Sequence, residues 1–233
     1  MPLKLQQRWK SFGGLPKGIY NMKKLVIIGA GDFGREVAWL VERINAKEPT
    51  WELLGFADDN PTVQGLILDG YSVLGTTQWL QTLMEETYVV CSIGTGRVRK
   101  LVMERVLKQK NLQAATLVDP AAIVGRNAVI GPGCIVCAGS IISIDAELTA
   151  HVILNLNCTI GHDAVLHDYC TVNPGSNVSG KVCVGESTDL GTGVKVIQGL
   201  HLCGQCIVGA GSVVVKNIEE PGTYVGVPVR RVH

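Results

Sequence analysis

Every sixth residue from Val118 to Val214 is aliphatic, 17 positions in succession without a slip. The series begins Val118, Val124, Ile130, Val136, Ile142 and closes Val196, Leu202, Val208, Val214. The slot two residues earlier holds a small or short side chain, as at Thr116, Ala122, Ala128, Cys134 and Ser140, and only Leu200 breaks the rule. Glycine often follows the aliphatic residue, as at Gly125, Gly131, Gly161 and Gly185. A period of six fits neither an α-helix nor a two-sided strand. It predicts a parallel β-helix, in which three hexapeptides make one triangular coil and stacking of coils buries the apolar edge. The period then fixes which distant residues meet, because positions 18 apart lie at the same corner of neighbouring coils.

The rest of the chain divides around this block. Residues 1–21 carry Lys4, Arg8, Lys10 and Lys17 without an acid and read as an extension before a clean start at Met22. Residues 22–115 read as an α/β domain of Rossmann-like type. A strand, Leu25–Ile28, leads into Gly29-Ala30-Gly31-Asp32-Phe33-Gly34, followed by a helix to about Ile44. A second strand, Leu53–Ala57, ends at Asp58-Asp59; a third, Val89–Ile93, precedes a helix from Arg97 to Lys108. Alternation of strands and helices predicts a small parallel sheet. Residues 116–217 form the β-helix, and 218–233 a tail folded over its last coil.

Composition narrows the function classes. Lys plus Arg number 21 and Asp plus Glu 20, a balance that argues against nucleic acid or an anionic membrane as partner. The chain has neither a run of about 18 apolar residues nor an apolar signal core, so a cytoplasmic protein is expected. Of the eight cysteines, Cys134, Cys158, Cys170 and Cys206 fall in the small-residue slot. The pairs Cys134/Cys137 and Cys203/Cys206 spell C-x-x-C, but their separation is no multiple of 18, so they do not stack into one zinc site; free thiols are expected.

Two groups of residues carry chemistry. Gly29 and Gly31 permit a tight strand-to-helix turn whose helix start can hold a phosphate, and Asp58 and Asp59 end the next strand, where an acid can bind a ribose or a base edge. The same residues also suit a plain structural turn. The second group is Asn155, His162, Asp163 and His167. His162 lies two residues past the core position Ile160, so it points outward, with Asp163 beside it to orient the imidazole as a general base. Gly180 is one coil further along the same corner, and Asn155 stacks on Asn173. A surface histidine without a catalytic role fits the spacing as well.

The chain resembles the bacterial sugar acyltransferases, which include sialic acid O-acetyltransferases and nucleotide-linked amino-sugar N-acetyltransferases. The likeness spans residues 23–232 and rests on Gly161-His162-Asp163, Asn173-Pro174-Gly175, Ser179-Gly180, the stretch Val208–Asn217 and Val225–Arg230. The resemblance implies a left-handed coil, a homotrimer with active sites between neighbouring β-helices, and acetyl-CoA as acyl donor without a metal. It implies His162 as general base, Asp163 orienting it, Asn155 near the acceptor, Gly180 and Ala210 along the pantetheine arm, and Gly29, Gly31, Asp58 and Asp59 at a nucleotide. Two departures stand out. Several amino-sugar members have a second histidine where this chain has Thr171, and many relatives have Gly-His where it has Asp32-Phe33. The expected reaction is acetylation of a nucleotide-linked amino sugar. The alternatives are O-acetylation of sialic acid or another sugar hydroxyl, a γ-class carbonic anhydrase-like zinc enzyme through His162 and His167, or a non-catalytic scaffold.

Overall fold

The computed structural model describes residues 22–232; the extension 1–21 and His233 lie outside the described residues. The α/β part begins with β1 (Lys23–Ile28), α1 (Asp32–Lys47) and β2 (Trp51–Ala57). It continues through β3 (Ile67–Leu68), β4 (Tyr71–Gly75), β5 (Thr87–Cys91), α2 (Gly96–Val106) and β6 (Leu112–Ala114). Together these strands form a sheet in the order β3-β4-β2-β1-β5-β6, parallel throughout except for β3 against β4. The last four residues of β1 are fully buried, as expected of a central parallel strand covered on both faces. Val37, Ala38, Leu40 and Val41 give α1 one buried stripe.

The β3–β4 hairpin is an element the sequence reading passed over. Its signal was present: Asp69-Gly70 is a two-residue loop with both φ angles positive, 48° and 94°, the turn that matches the twist of paired antiparallel strands. The helices also run to Lys47 and begin at Gly96, a few residues from the expected limits, because helix ends depend on capping more than on periodicity.

In the β-helix, strands of two or three residues stack with a register of 18: Ile135 on Ile153, Ile153 on Thr171, Thr171 on Asp189 and Asp189 on Ile207, all parallel. They build three faces of six, six and five strands. The strands Gly222–Val225 and Arg230–Arg231 of the C-terminal stretch extend one six-stranded face to eight, so the tail continues a wall of the prism. The aliphatic slot fills its interior, with Val136, Leu148, Leu154, Val172 and Val184 wholly buried. The small-residue slot has a further physical reason. Its hydroxyls and thiols donate to a carbonyl 15 residues ahead: Ser140 to Asn155 at 2.7 Å, Ser176 to Gly191 at 2.8 Å, Cys134 to Thr149 at 3.0 Å and Cys170 to Gly185 at 3.1 Å. A short polar side chain thus satisfies a corner carbonyl inside the prism. All eight cysteines are free thiols.

The corners obey their own six-residue rule. From Asn127 to Gly211 every sixth residue adopts positive φ. Glycine, Asn and Asp occupy many of these places at little cost, whereas His151, Tyr169, Lys181, Ser187 and Gln205 accept the strain that L-residues meet there.

Two arginines join the α/β part to the β-helix. Arg43 of α1 makes a two-pronged ion pair with Asp119, at 2.6 and 3.0 Å. Burial alone would raise the Asp119 carboxyl; hydrogen bonds from Arg43 and the Ala121 amide outweigh it and hold the group below the usual carboxylate range. Arg99 of α2 is 1% exposed and donates to the carbonyls of Ile93, Gly94, His151, Tyr169 and Cys170 and to the Thr171 hydroxyl.

His151 is buried beside this clamp, its ring stacked on Tyr169 with centroids 4.8 Å apart and its Nδ1 without a hydrogen-bond partner among the described residues. Burial, reinforced by the Arg99 charge, pushes its pKa down to about 4 from 6.5. Between those values the unfolded chain binds a proton that the folded chain refuses. Stability therefore falls as pH drops through that window, by roughly 2 kcal/mol from pH 7 to pH 5. Urea unfolding at both pH values checks this: His151→Asn, which tolerates the left-handed turn, reduces the difference between them, and an unchanged difference would assign the acid sensitivity elsewhere.

Candidate active site

His162 and Asp163 stand at the corner that follows the strand Thr159–Ile160. Asp163 is the left-handed corner residue, with φ of 57°, so the turn that closes the coil also swings its carboxylate back to the preceding side chain. Its Oδ2 lies 2.8 Å from His162 Nδ1, and both side chains are about half exposed. This pairing directs the Nδ1 proton to the carboxylate and leaves Nε2 as the open nitrogen. Nε2 faces Gly180: a Cβ on that residue would lie 2.5 Å from it. Glycine at 180 is therefore what allows the ring to lie across the next coil. The Gly180 N–H takes no hydrogen-bond acceptor among the described residues, while its neighbour Lys181 donates to the His162 carbonyl at 2.8 Å. An outward imidazole, a carboxylate paired with it and a free amide thus share one corner.

Asn155 lies on the preceding corner, one strand back. It borders a cavity of about 280 Å³ with Asp32, Phe33, Glu36, Gly94, Ile153, Leu156, Thr171, Asn173 and Pro174. The cavity lies between the start of α1, the β5–α2 turn and the β-helix. The expected stacking of Asn155 with Asn173 brings both amides to it. Ala210 lies against Gly191, on the Asn155 corner rather than the His162 corner; its N–H also takes no acceptor among the described residues. Within one chain the two groups of residues therefore lie on successive corners of the prism, separated by a strand.

The glycine turn divides by function. Gly29 has φ of 100°, and Gly34 packs with its Cα against the Gly29 carbonyl, so both are demanded by the backbone. Gly31 is the N-cap of α1, has no side-chain cap, and would carry a Cβ into open space; the helix start is thus bare. Asp58 accepts from the Ala30 amide at 2.7 Å and the Asn60 amide at 2.8 Å, tying the turn to the end of β2. Asp59 accepts from the Thr77 amide and hydroxyl at 2.7 and 2.8 Å and from Arg105 at 3.2 Å. Burial opposes ionisation of Asp59, and these bonds outweigh it, holding its carboxyl below the usual range. Both acids are thus engaged within the fold. Asp32 pairs with Arg35 at 2.7 Å.

Thr171, the place of the second histidine in some relatives, is 3% exposed. Its hydroxyl donates to the Gly94 carbonyl at 2.6 Å and accepts from Arg99 at 3.0 Å. The sequence reading missed Arg99, which carries no motif; its helix and its acceptors are up to 72 residues apart. The histidines of the zinc alternative do not converge: His162 faces Asp163, whereas His167 lies 3.4 Å from the Cys183 thiol. Among the described residues no group of three or more His, Cys, Asp or Glu is arranged to hold a metal, and no helix is long and apolar enough to cross a membrane.

Comparison with known proteins agrees with this architecture. Residues 24–106 match the PglD N-terminal domain family. The chain is 28% identical over 175 residues to the GDP-perosamine N-acetyltransferase of Escherichia coli O157:H7, covering 75% of this chain and 78% of that one. It is similar to the acetyltransferase domain of PglB from Neisseria gonorrhoeae FA1090 solved in complex with acetyl coenzyme A, with 31% identity and a TM-score of 0.83 over 91% of this chain and all of that one. PerB from Caulobacter crescentus, solved in complex with CoA and GDP-perosamine, matches with 28% identity and a TM-score of 0.80 over 90% and 97% of the two chains. The repeat is thus the left-handed hexapeptide β-helix of these enzymes, and the chain belongs to the bacterial sugar acyltransferases that join it to a Rossmann-like α/β domain.

Proposed function

We propose that this enzyme acetylates the amino group of a nucleotide-linked amino sugar, with acetyl-CoA as donor. The observation that carries the reading is the His162–Asp163 pair facing the unpaired Gly180 amide. His162 Nε2 takes a proton from the acceptor nitrogen as that nitrogen attacks the thioester carbonyl. Asp163 holds the ring in the useful tautomer and stabilises the imidazolium. The Gly180 N–H donates to the oxyanion of the tetrahedral intermediate, which collapses to the amide and expels CoA as the thiol, carrying the proton from His162.

Coenzyme A runs along the β-helix past Gly180 and Ala210. Because those residues lie on successive corners of one prism, the groove between two copies is the natural track for it, and a homotrimer supplies three such grooves. Residues 22–115 bind the nucleotide sugar at the bare helix start near Gly29 and Gly31, with Asp58 and Asp59 shaping the turn; residues 116–217 carry out transfer; Asn155 faces the sugar. Use of acetyl-CoA fits a cytoplasmic reaction. The named ligands of PerB and the PglB domain support the donor and the acceptor class.

The experiment is thiol release from acetyl-CoA against a panel of nucleotide-linked amino sugars, with free sialic acid and nucleotide-free sugars alongside. Turnover confined to the nucleotide-linked amines is expected. Turnover with sialic acid, or equal turnover without the nucleotide, overturns the reading in favour of O-acetylation or of a structural role for the glycine turn.

A further inference from the structure

The cavity beside Asn155 has a chemical bias. Two carboxylates, Asp32 and Glu36, line it, and no basic side chain does. The Asp32 charge is answered by Arg35; Glu36 is exposed and has no hydrogen bond or ion pair among the described residues. The remaining polar groups are neutral. Asn173 uses one amide N–H on the Leu190 carbonyl at 3.0 Å, leaving its oxygen and a second N–H. Asn155 accepts from the Leu156 amide at 2.7 Å through its oxygen, leaving its NH2 group as a donor. The Thr171 hydroxyl and the Gly94 carbonyl are closed off by each other and by Arg99.

A wall with this sign repels phosphate and suits a group rich in O–H or N–H donors. At about 280 Å³ the cavity is below the usual range for a whole drug-sized ligand, so only part of a nucleotide sugar enters it. We infer that Glu36 is a specificity-determining residue of the acceptor site, its carboxylate accepting hydrogen bonds from the donor groups of the sugar ring while the diphosphate stays outside the cavity. The inference rests on the function proposed above and adds to it a reason why the cavity beside Asp32 and Glu36 admits the sugar ring and not the diphosphate. Glu36 acts by binding; the proton transfer remains with His162.

Calorimetric titration of the full-length protein tests it with two probes, the nucleotide-linked amino sugar that turns over best and the corresponding nucleoside diphosphate. Glu36→Gln keeps the shape, and the residue's exposed, unpaired side chain leaves the fold untouched. The expected result is about tenfold weaker binding of the nucleotide sugar, the loss of one charge-assisted hydrogen bond, with the nucleoside diphosphate affinity and the KM for acetyl-CoA unchanged. Equal weakening of both probes, no change in either, or tighter binding of the nucleotide sugar overturns the assignment, the last showing that the carboxylate merely repels phosphate. If the wild-type protein turns over no nucleotide-linked amino sugar, the proposed function itself falls; if it turns them over and only the Glu36 result is absent, that function stands and this inference alone fails.

Discussion

His162→Ala lowers the rate of acetyl transfer by about 10²–10⁴-fold, the usual cost of removing a general base, and leaves folding intact. The side chain is half exposed and contacts Asp163 rather than the core, so its loss opens no cavity. Steady-state thiol release gives kcat, and unfolding of the same preparation shows that stability is retained. In the proposed mechanism the ring acts on the attacking nitrogen as the bond forms and not on either bound substrate, so the effect is expected on kcat. Asp163→Asn is the companion variant. Asn also accepts the left-handed corner conformation, so the coil keeps its shape while the imidazole loses its anionic partner, and part of the His162→Ala loss follows. Wild-type-like kcat in His162→Ala removes the mechanism.

The second large effect is on stability. Arg99→Met removes a guanidinium that donates to five carbonyls and the Thr171 hydroxyl across the seam between the α/β part and the β-helix. Buried acceptors left unpaired cost about 1–3 kcal/mol each, and some relax toward other donors, so a net loss of about 3–5 kcal/mol is expected. Arg99→Lys recovers less than half of it, since an ammonium offers three donors in place of a planar fork of five. Chemical denaturation measures both. A loss under about 1 kcal/mol in Arg99→Met would mean that water replaces the guanidinium and that the seam is held elsewhere, by Arg43 and Asp119. The seam bears on function because Gly94 and Thr171 both line the cavity and both are held by Arg99.

The prism was legible in the sequence because its cause is periodic. One interior position in six must be apolar, one slot must be small enough to sit at a corner, and a register of 18 follows from three short sides. That arithmetic alone brought His162 to Gly180 and Asn155 to Asn173. The parallel core of the α/β part was legible for a similar reason, since buried strands and a glycine turn leave local marks. The β3–β4 hairpin left one too, in Asp69-Gly70, but it is a two-residue signal between longer patterns.

Tertiary structure decided what depends on distant partners. That Asp58 and Asp59 serve the turn more than open solvent follows from amides and hydroxyls brought to them by folding, at Ala30 and Thr77. That the Thr171 hydroxyl is spent within the fold, although the residue borders the cavity, follows from a helix 72 residues away. Arg99 itself has no local signature: an arginine in an amphipathic helix reads as surface until another element covers it and supplies carbonyls. Periodicity alone was enough for the repeat, the stacking register and the outward histidine with its acid. Only the fold decided which polar groups are consumed in holding it together and which are left free to meet a substrate, because hydrogen-bond satisfaction is a property of the whole packed chain.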